Sequence, residues 1–246
     1  MPPARRRRAS PRTPPTAEPP PAKERALPPA RKSTRPPQID DLRLGTLAEG
    51  DPADLRRNAD LESVRYADLT LRHLDLTGAV LASTQLSSVS ADETDLKGAR
   101  LSEVHLDRVV MPVVRAARGQ WRDVRVSGRL GSLEAYESQW RSVHFVGCKL
   151  SFVNLRGAEL LDVAFTDCLI EELDLSSAKA RRVRLTDTRV AQLDVRGSTL
   201  SDLDLRGADL AVVDGLLDLR GATVSPDQLS RLAPALADAL GIRVER

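Results

Sequence analysis

Large side chains are scarce in this chain: two Trp, two Tyr and three Phe among 246 residues, 3% in all. Its core is expected to rest on Leu, Val and Ala instead of rings. Cysteine is scarcer still, with only Cys148 and Cys168. That excludes a disulfide framework and points to a reducing compartment. No apolar run approaches the roughly 20 residues of a membrane span. The charged start RRRRAS has no apolar stretch behind it, so no secretory signal is expected and the protein is placed in the cytoplasm. Catalytic signatures are missing too: no Gly-rich phosphate loop, no HExxH, no nucleophile elbow. His73, His105 and His144 share no metal-ligand spacing with one another or with a Cys. No catalytic residue, metal or cofactor is expected, and the chain reads as non-enzymatic.

Charge is present but segregated. The formal net charge is +2. Residues 1–40 carry a net of +7 and residues 59–246 a net of −4, so a basic tail precedes a mildly acidic body. Twelve of the 16 prolines fall in residues 1–38, with almost no branched or aromatic side chains. Such a segment buries too little apolar area to offset its ordering entropy, so residues 1–38 are expected to be a disordered, partly polyproline-like tail. It serves either as a solubilising spacer or, through Arg5, Arg6, Arg7 and Arg8, as a loose contact with nucleic acid or an anionic surface. Residues 39–58 read as a short lead-in. Arg outnumbers Lys 32 to 5, which suggests a high-GC bacterial genome.

The body repeats. From Leu61 an apolar or small residue returns every fifth position as far as Val126. The frame slips by one inside VSGRL (126–130), resumes at Leu130, and runs to Leu210 before a second slip near Gly215. Charged residues never occupy these centres. The residue two before each centre is also apolar or small, and from Ser138 onward it alternates small and large, a superperiod of ten. In the first half the alternation has a period of twenty. Neither a 3.6-residue nor a 2-residue period accounts for this. A coil of four five-residue sides does, with residues twenty apart stacked directly. Gly two after the centre, as at Gly78, Gly98 and Gly207, suits tight corners.

The units ADLES (59–63), ADLTL (67–71), AELLD (158–162) and ADLAV (208–212) resemble the Ala-(Asp/Asn)-Leu-X-X unit of the pentapeptide repeat family. The resemblance covers about residues 59–224. It implies an all-β solenoid, a right-handed quadrilateral β-helix, here of about eight coils at about 4.8 Å each. Residues 225–246 are expected to cap it with a short α-helix. Ser225-Pro226-Asp227-Gln228 reads as a capping box, and Gly241 as a stop. Leu229, Leu232, Leu236 and Leu240 give the helix an apolar face, for capping or for a homodimer contact. Pro234 is expected to kink the helix or split it in two.

Function is less legible. Stacking at twenty lines up Glu134, Asn154, Asp174, Asp194 and Asp214 as a partly acidic outward column. Some members of the family are thought to imitate duplex DNA and bind topoisomerases, and such a column is what would support that here. Arg156, Arg181, Arg182, Arg184, Arg189 and Arg196 work against it. Cys148 and Cys168, twenty apart, either fill a small slot or lie within disulfide reach. Residues 108–129 are the least regular part, read as a bulge, a loop or a bend. Three functions compete: a rigid scaffold binding an unidentified protein partner, a DNA-mimicking binder of a type II topoisomerase such as gyrase, and a module tethered by its basic tail.

Overall fold

The computed structural model describes residues 33–245; the arginines Arg5–Arg8 lie outside them. The residues from Thr34 onward form a parallel β-solenoid of about nine turns with one C-terminal helix. All strand pairings among the described residues are parallel and fall in one sheet. Leu61, Leu81, Leu101, Trp121, Trp140, Leu160, Ala180 and Leu200 stack in register down one side. The register is 20 residues except between Trp121 and Trp140, where it is 19. Centres and the residues two before them form a single buried core running the length of the rod. About one turn is added to the eight expected: Ala48–Glu49 pairs with Val64–Arg65 before the first coil, and Ala222–Thr223 pairs with Leu203–Asp204 after the last.

The few rings are not peripheral. Trp121 and Trp140 stack at 4.9 Å with planes 14° apart, and Phe145 and Phe165 stack at 4.9 Å with planes 12° apart. With Tyr66 they are the largest fully buried side chains. This corrects the expectation of a ringless core. Vertical stacking in successive coils lets flat rings pair face to face, adding about 0.5–1.5 kcal/mol per pair beyond area burial.

The frame slip is a bulge and not a loop or a bend. Strand runs unbroken through Arg100–Arg115 and Gln120–Glu134, and the register steps from Leu106↔Val126 to Val109↔Gly128. Gly128 has φ +125, and a Cβ there would lie 2.1 Å from the Val109 carbonyl oxygen, so only Gly lets the shortened coil close. Two after the centre φ is positive on three of the four sides, carried by Gly147 or Gly157 but as often by Asp or Ser, and not on the fourth, where His73, Glu93, Phe152 and Glu172 stand. Gly207 departs from the corner expectation. It lies within the strand Thr199–Asp214, where the register to the coil before is irregular.

Both ends are closed. At the start, Ala48 and Gly50 donate backbone N–H to the carbonyls of Ser63 and Arg65, and Gly50 sits so close over the Tyr66 ring that a Cβ would reach within 2.4 Å of it. At the other end one helix, Pro226–Ala239, is continuous through Pro234, with no split. Its capping box is formed as expected, and Gly241 follows in the left-handed region. The leucine face is not what seals the rod, since Leu229 is 51% exposed and Leu240 61%. Gln228 does this: its side-chain amide donates to the carbonyls of Leu205 (2.6 Å) and Ala208 (2.7 Å), which would otherwise face an open edge. Residues 34–38 also depart from the tail reading. They are bonded to the rod through partners 104 to 189 positions away, a distance that local composition cannot reveal.

Gly128→Val is expected to lower stability by about 2–4 kcal/mol, through clash and strain together. Gly147→Ala, where a Cβ meets nothing within 4 Å, is expected to cost about 1 kcal/mol. Urea unfolding of the two variants measures the difference; equal losses would deny the bulge its role.

Candidate interaction surface

Outward residues stand in straight columns because each coil copies the register of the last. Glu134, Asn154, Asp174, Asp194 and Asp214 are indeed brought together, paired successively across coils. The column is longer than stepping by twenty reveals, since Asp75, Asp95 and Arg115 continue it on the far side of the 19-residue step. Following the slip through the sequence would have found them.

The aspartates in this column are engaged with the fold. Asp174 Oδ1 accepts the Ser176 N–H at 2.8 Å, Asp194 Oδ1 accepts the Arg196 N–H at 2.9 Å, and Asp75 Oδ1 accepts the Thr77 N–H at 3.1 Å. Asn154 does the same for Arg156. These are Asx turns that close the corner two residues on. Asp174 and Asp194 are each only 5% exposed. Arginine covers what remains: Arg156 reaches Asp174 at 3.5 Å, and Arg196 folds back on Asp194. On another side of the coil Arg184 and Arg206 flank Asp204, and Arg182 makes two 2.6 Å bonds to Asp162. The outer surface is therefore a mosaic of local pairs and not a continuous acidic band.

These contacts set the titration. Hydrogen bonds from the Arg196 side chain and backbone hold the Asp194 carboxyl below the usual aspartate range against the opposing effect of burial. Arg206 does the same for Asp204. Burial pushes the His105 imidazole down, with Arg125 and Arg108 acting in the same direction against Asp107. Burial and Arg125 lower His144.

The two cysteines are buried, unpaired thiols. Cys148 Sγ donates to the Val126 carbonyl and Cys168 Sγ to the Phe145 carbonyl, as Thr188 Oγ1 does to Phe165 one coil on. The small slot is thus a donor slot for a carbonyl of the preceding coil. The Cys168 thiol and burial push the Cys148 thiol far up, so it is inert at neutral pH. Among the described residues no group of three or more His, Cys, Asp or Glu is placed to hold a metal, and no helix is long and apolar enough to cross a membrane.

Two family models match this repeat. One, for pentapeptide repeats in eight copies, covers residues 67–103, and another, for a pentapeptide repeat region, covers residues 138–214. Residues 67–103 and 138–214 are thus built of pentapeptide repeats. Among solved structures, the chain is similar to a trypsin-treated variant of QnrB1, described as a plasmid-mediated fluoroquinolone resistance protein. That alignment covers 77% of this chain and 99% of the other at 17% identity, with a TM-score of 0.26. It is also similar to HetL, a pentapeptide repeat protein involved in heterocyst differentiation regulation in the cyanobacterium Nostoc: 68% and 90% covered, 18% identity, TM-score 0.24. At such scores the alignments carry no functional argument. No curated protein sequence matches the chain.

Asp194→Ala is expected to cost about 1–3 kcal/mol, because it orphans a corner N–H and strands Arg196. The folded pKa values of Asp194 and Asp204 lie below their unfolded ones. Their contribution is therefore present above the ordinary aspartate pKa of about 4 and is lost as pH falls through the depressed values. Urea midpoints should fall steeply below about pH 4. A flat profile down to pH 2 would contradict the engaged-carboxylate account.

Proposed function

We propose that this protein is a rigid, non-enzymatic scaffold that binds a protein partner through its outward columns, in the reducing cytoplasm. One observation supports this above the others. Side chains twenty residues apart are held at fixed spacing on a backbone hydrogen-bonded on both sides, so a partner meets a preorganised surface and little ordering entropy is lost on binding. The DNA-mimic reading is weaker, because Asp174 and Asp194, at the middle of the column, are buried in Asx turns and paired with arginine. Duplex DNA presents one charge per about 1.7 Å of axis, unpaired by protein. The tethering reading rests on Arg5–Arg8, outside the described residues.

Two assays separate these readings. A photo-crosslinking side chain placed in turn at Ser102 and at Lys149, on different sides of the coil, should give a discrete adduct from one side only if the rod is a scaffold. Equal or absent adducts from both would count against it. Gyrase supercoiling should be unaffected at micromolar protein; inhibition relieved by added DNA would favour mimicry instead.

A homodimer through the C-terminal helix has its own support. Leu229, Leu240, Ile242 and Val244 are all more than half exposed on and just beyond the helix, an apolar surface that water disfavours. Leu229→Glu with Leu240→Glu should weaken self-association at least about tenfold in sedimentation equilibrium, equivalent to about 1.4 kcal/mol. A chain that is monomeric before substitution would remove this reading.

A further inference from the structure

Residues 34–38 run across the coils along one corner of the rod, where the strands run around it. Arg35 Nε and Nη2 each reach Asp202 Oδ2 at 3.0 Å, and the Arg35 backbone N–H donates to Asp202 Oδ1 at 3.2 Å. Three residues later the Gln38 N–H donates to Asp162 Oδ1 at 2.8 Å, and the Gln38 carbonyl accepts from Ser142 Oγ at 3.3 Å. Asp202, Asp162 and Ser142 belong to one corner column. Asp162 and Asp202 are two coils apart, about 10 Å at the strand spacing. Three extended residues also span about 10 Å, so an extended chain meets this column in register. Pro36 and Pro37 favour that extended form.

The rod does not need this segment to complete its own backbone bonding. The strand Glu159–Thr166 behind it is paired to coils on both sides without it. Asp162 also has its own bidentate partner, Arg182. Beyond Gln38, Ile39 and Leu42 are half-buried over a groove of about 540 Å³, which Arg125, His144 and Arg184 also line. Asp40 and Asp41 line the same groove. The hold is light: Arg35 is 61% exposed, and exposed ion pairs contribute little. The segment is thus a chain laid on a finished surface by side-chain contacts that another chain could make.

We propose that the corner column from Asp202 to Ser142, with the adjoining groove, is a binding track for an extended, arginine-bearing, proline-rich peptide segment of a partner protein, and that residues 34–43 occupy it in cis as a resident pseudo-ligand. This rests on the scaffold reading and gives it a docking site and a control. The tethered strap has a high effective concentration, so a partner's segment must displace it, and its apparent affinity is reduced accordingly.

The test uses the full chain and a fluorescent peptide of residues 33–44, followed by anisotropy. In the variant Arg35→Glu with Gln38→Pro, the strap loses its guanidinium and the N–H that Asp162 accepts. That variant is expected to bind the peptide at least about tenfold more tightly than the unmodified chain does, and to ignore a scrambled peptide. Adding Asp202→Lys should abolish the gain. Equal binding by both chains, or none by a variant with unchanged circular dichroism, overturns the proposal. Should that variant unfold, amide exchange on the unmodified chain decides: the Gln38 amide is expected to exchange at least a hundredfold faster than that of Ala164. Equal rates would mean that the strap opens only with the rod, which also overturns the proposal. Failure here leaves the scaffold reading standing, since the crosslinking assay tests that separately.

Discussion

Backbone hydrogen bonding between coils is the constraint on which the rest of this molecule depends. A single coil leaves its N–H and C=O groups pointing along the rod axis, and only the coils above and below can satisfy them. Hence the register must be held at twenty residues through every turn, and a departure must be repaired where it occurs. The 19-residue step is repaired at Gly128, against the Val109 carbonyl. The same constraint explains the ends. The last carbonyls need donors, and Gln228 supplies two from a helix whose leucines stay largely outside the core. The first coil is met by Ala48 and Gly50.

Fixed register also decides where charge can go. A corner turning within two residues leaves an N–H that an Asp or Asn at the preceding outward position can accept, and Asp75, Asn154, Asp174 and Asp194 all do so. Residues that look like surface decoration in the sequence are therefore part of the corner, and arginines from the same or the adjacent coil neutralise them. This leaves an even surface charge. Recognition is then expected to come from spacing and shape more than from a long-range field. The strap at residues 34–43 shows one way a chain can use that spacing.

The five-residue period, the slip inside residues 126–130, the capping box and the stacked column were all legible in the chain, because each depends on residues whose order along the sequence maps directly onto height along the rod. The parts that were not legible involve partners without a fixed period. Arg35 finds Asp202, Gln38 finds Asp162, and Gln228 finds Leu205 and Ala208. The rings were misjudged for a related reason: their number is small, but Trp121–Trp140 and Phe145–Phe165 occupy successive heights of the same two sides and stack.

The sequence by itself determined the solenoid, its four sides and its inward positions. A five-residue apolar repeat can bury its side chains only by coiling on itself, and that choice is local and reiterated. Only the tertiary structure decided which carboxylates are engaged and which face is covered by the strap. It likewise decided how each end is closed. Those outcomes depend on groups brought together from distant points in the chain, where burial and competing partners, not spacing, select the contact.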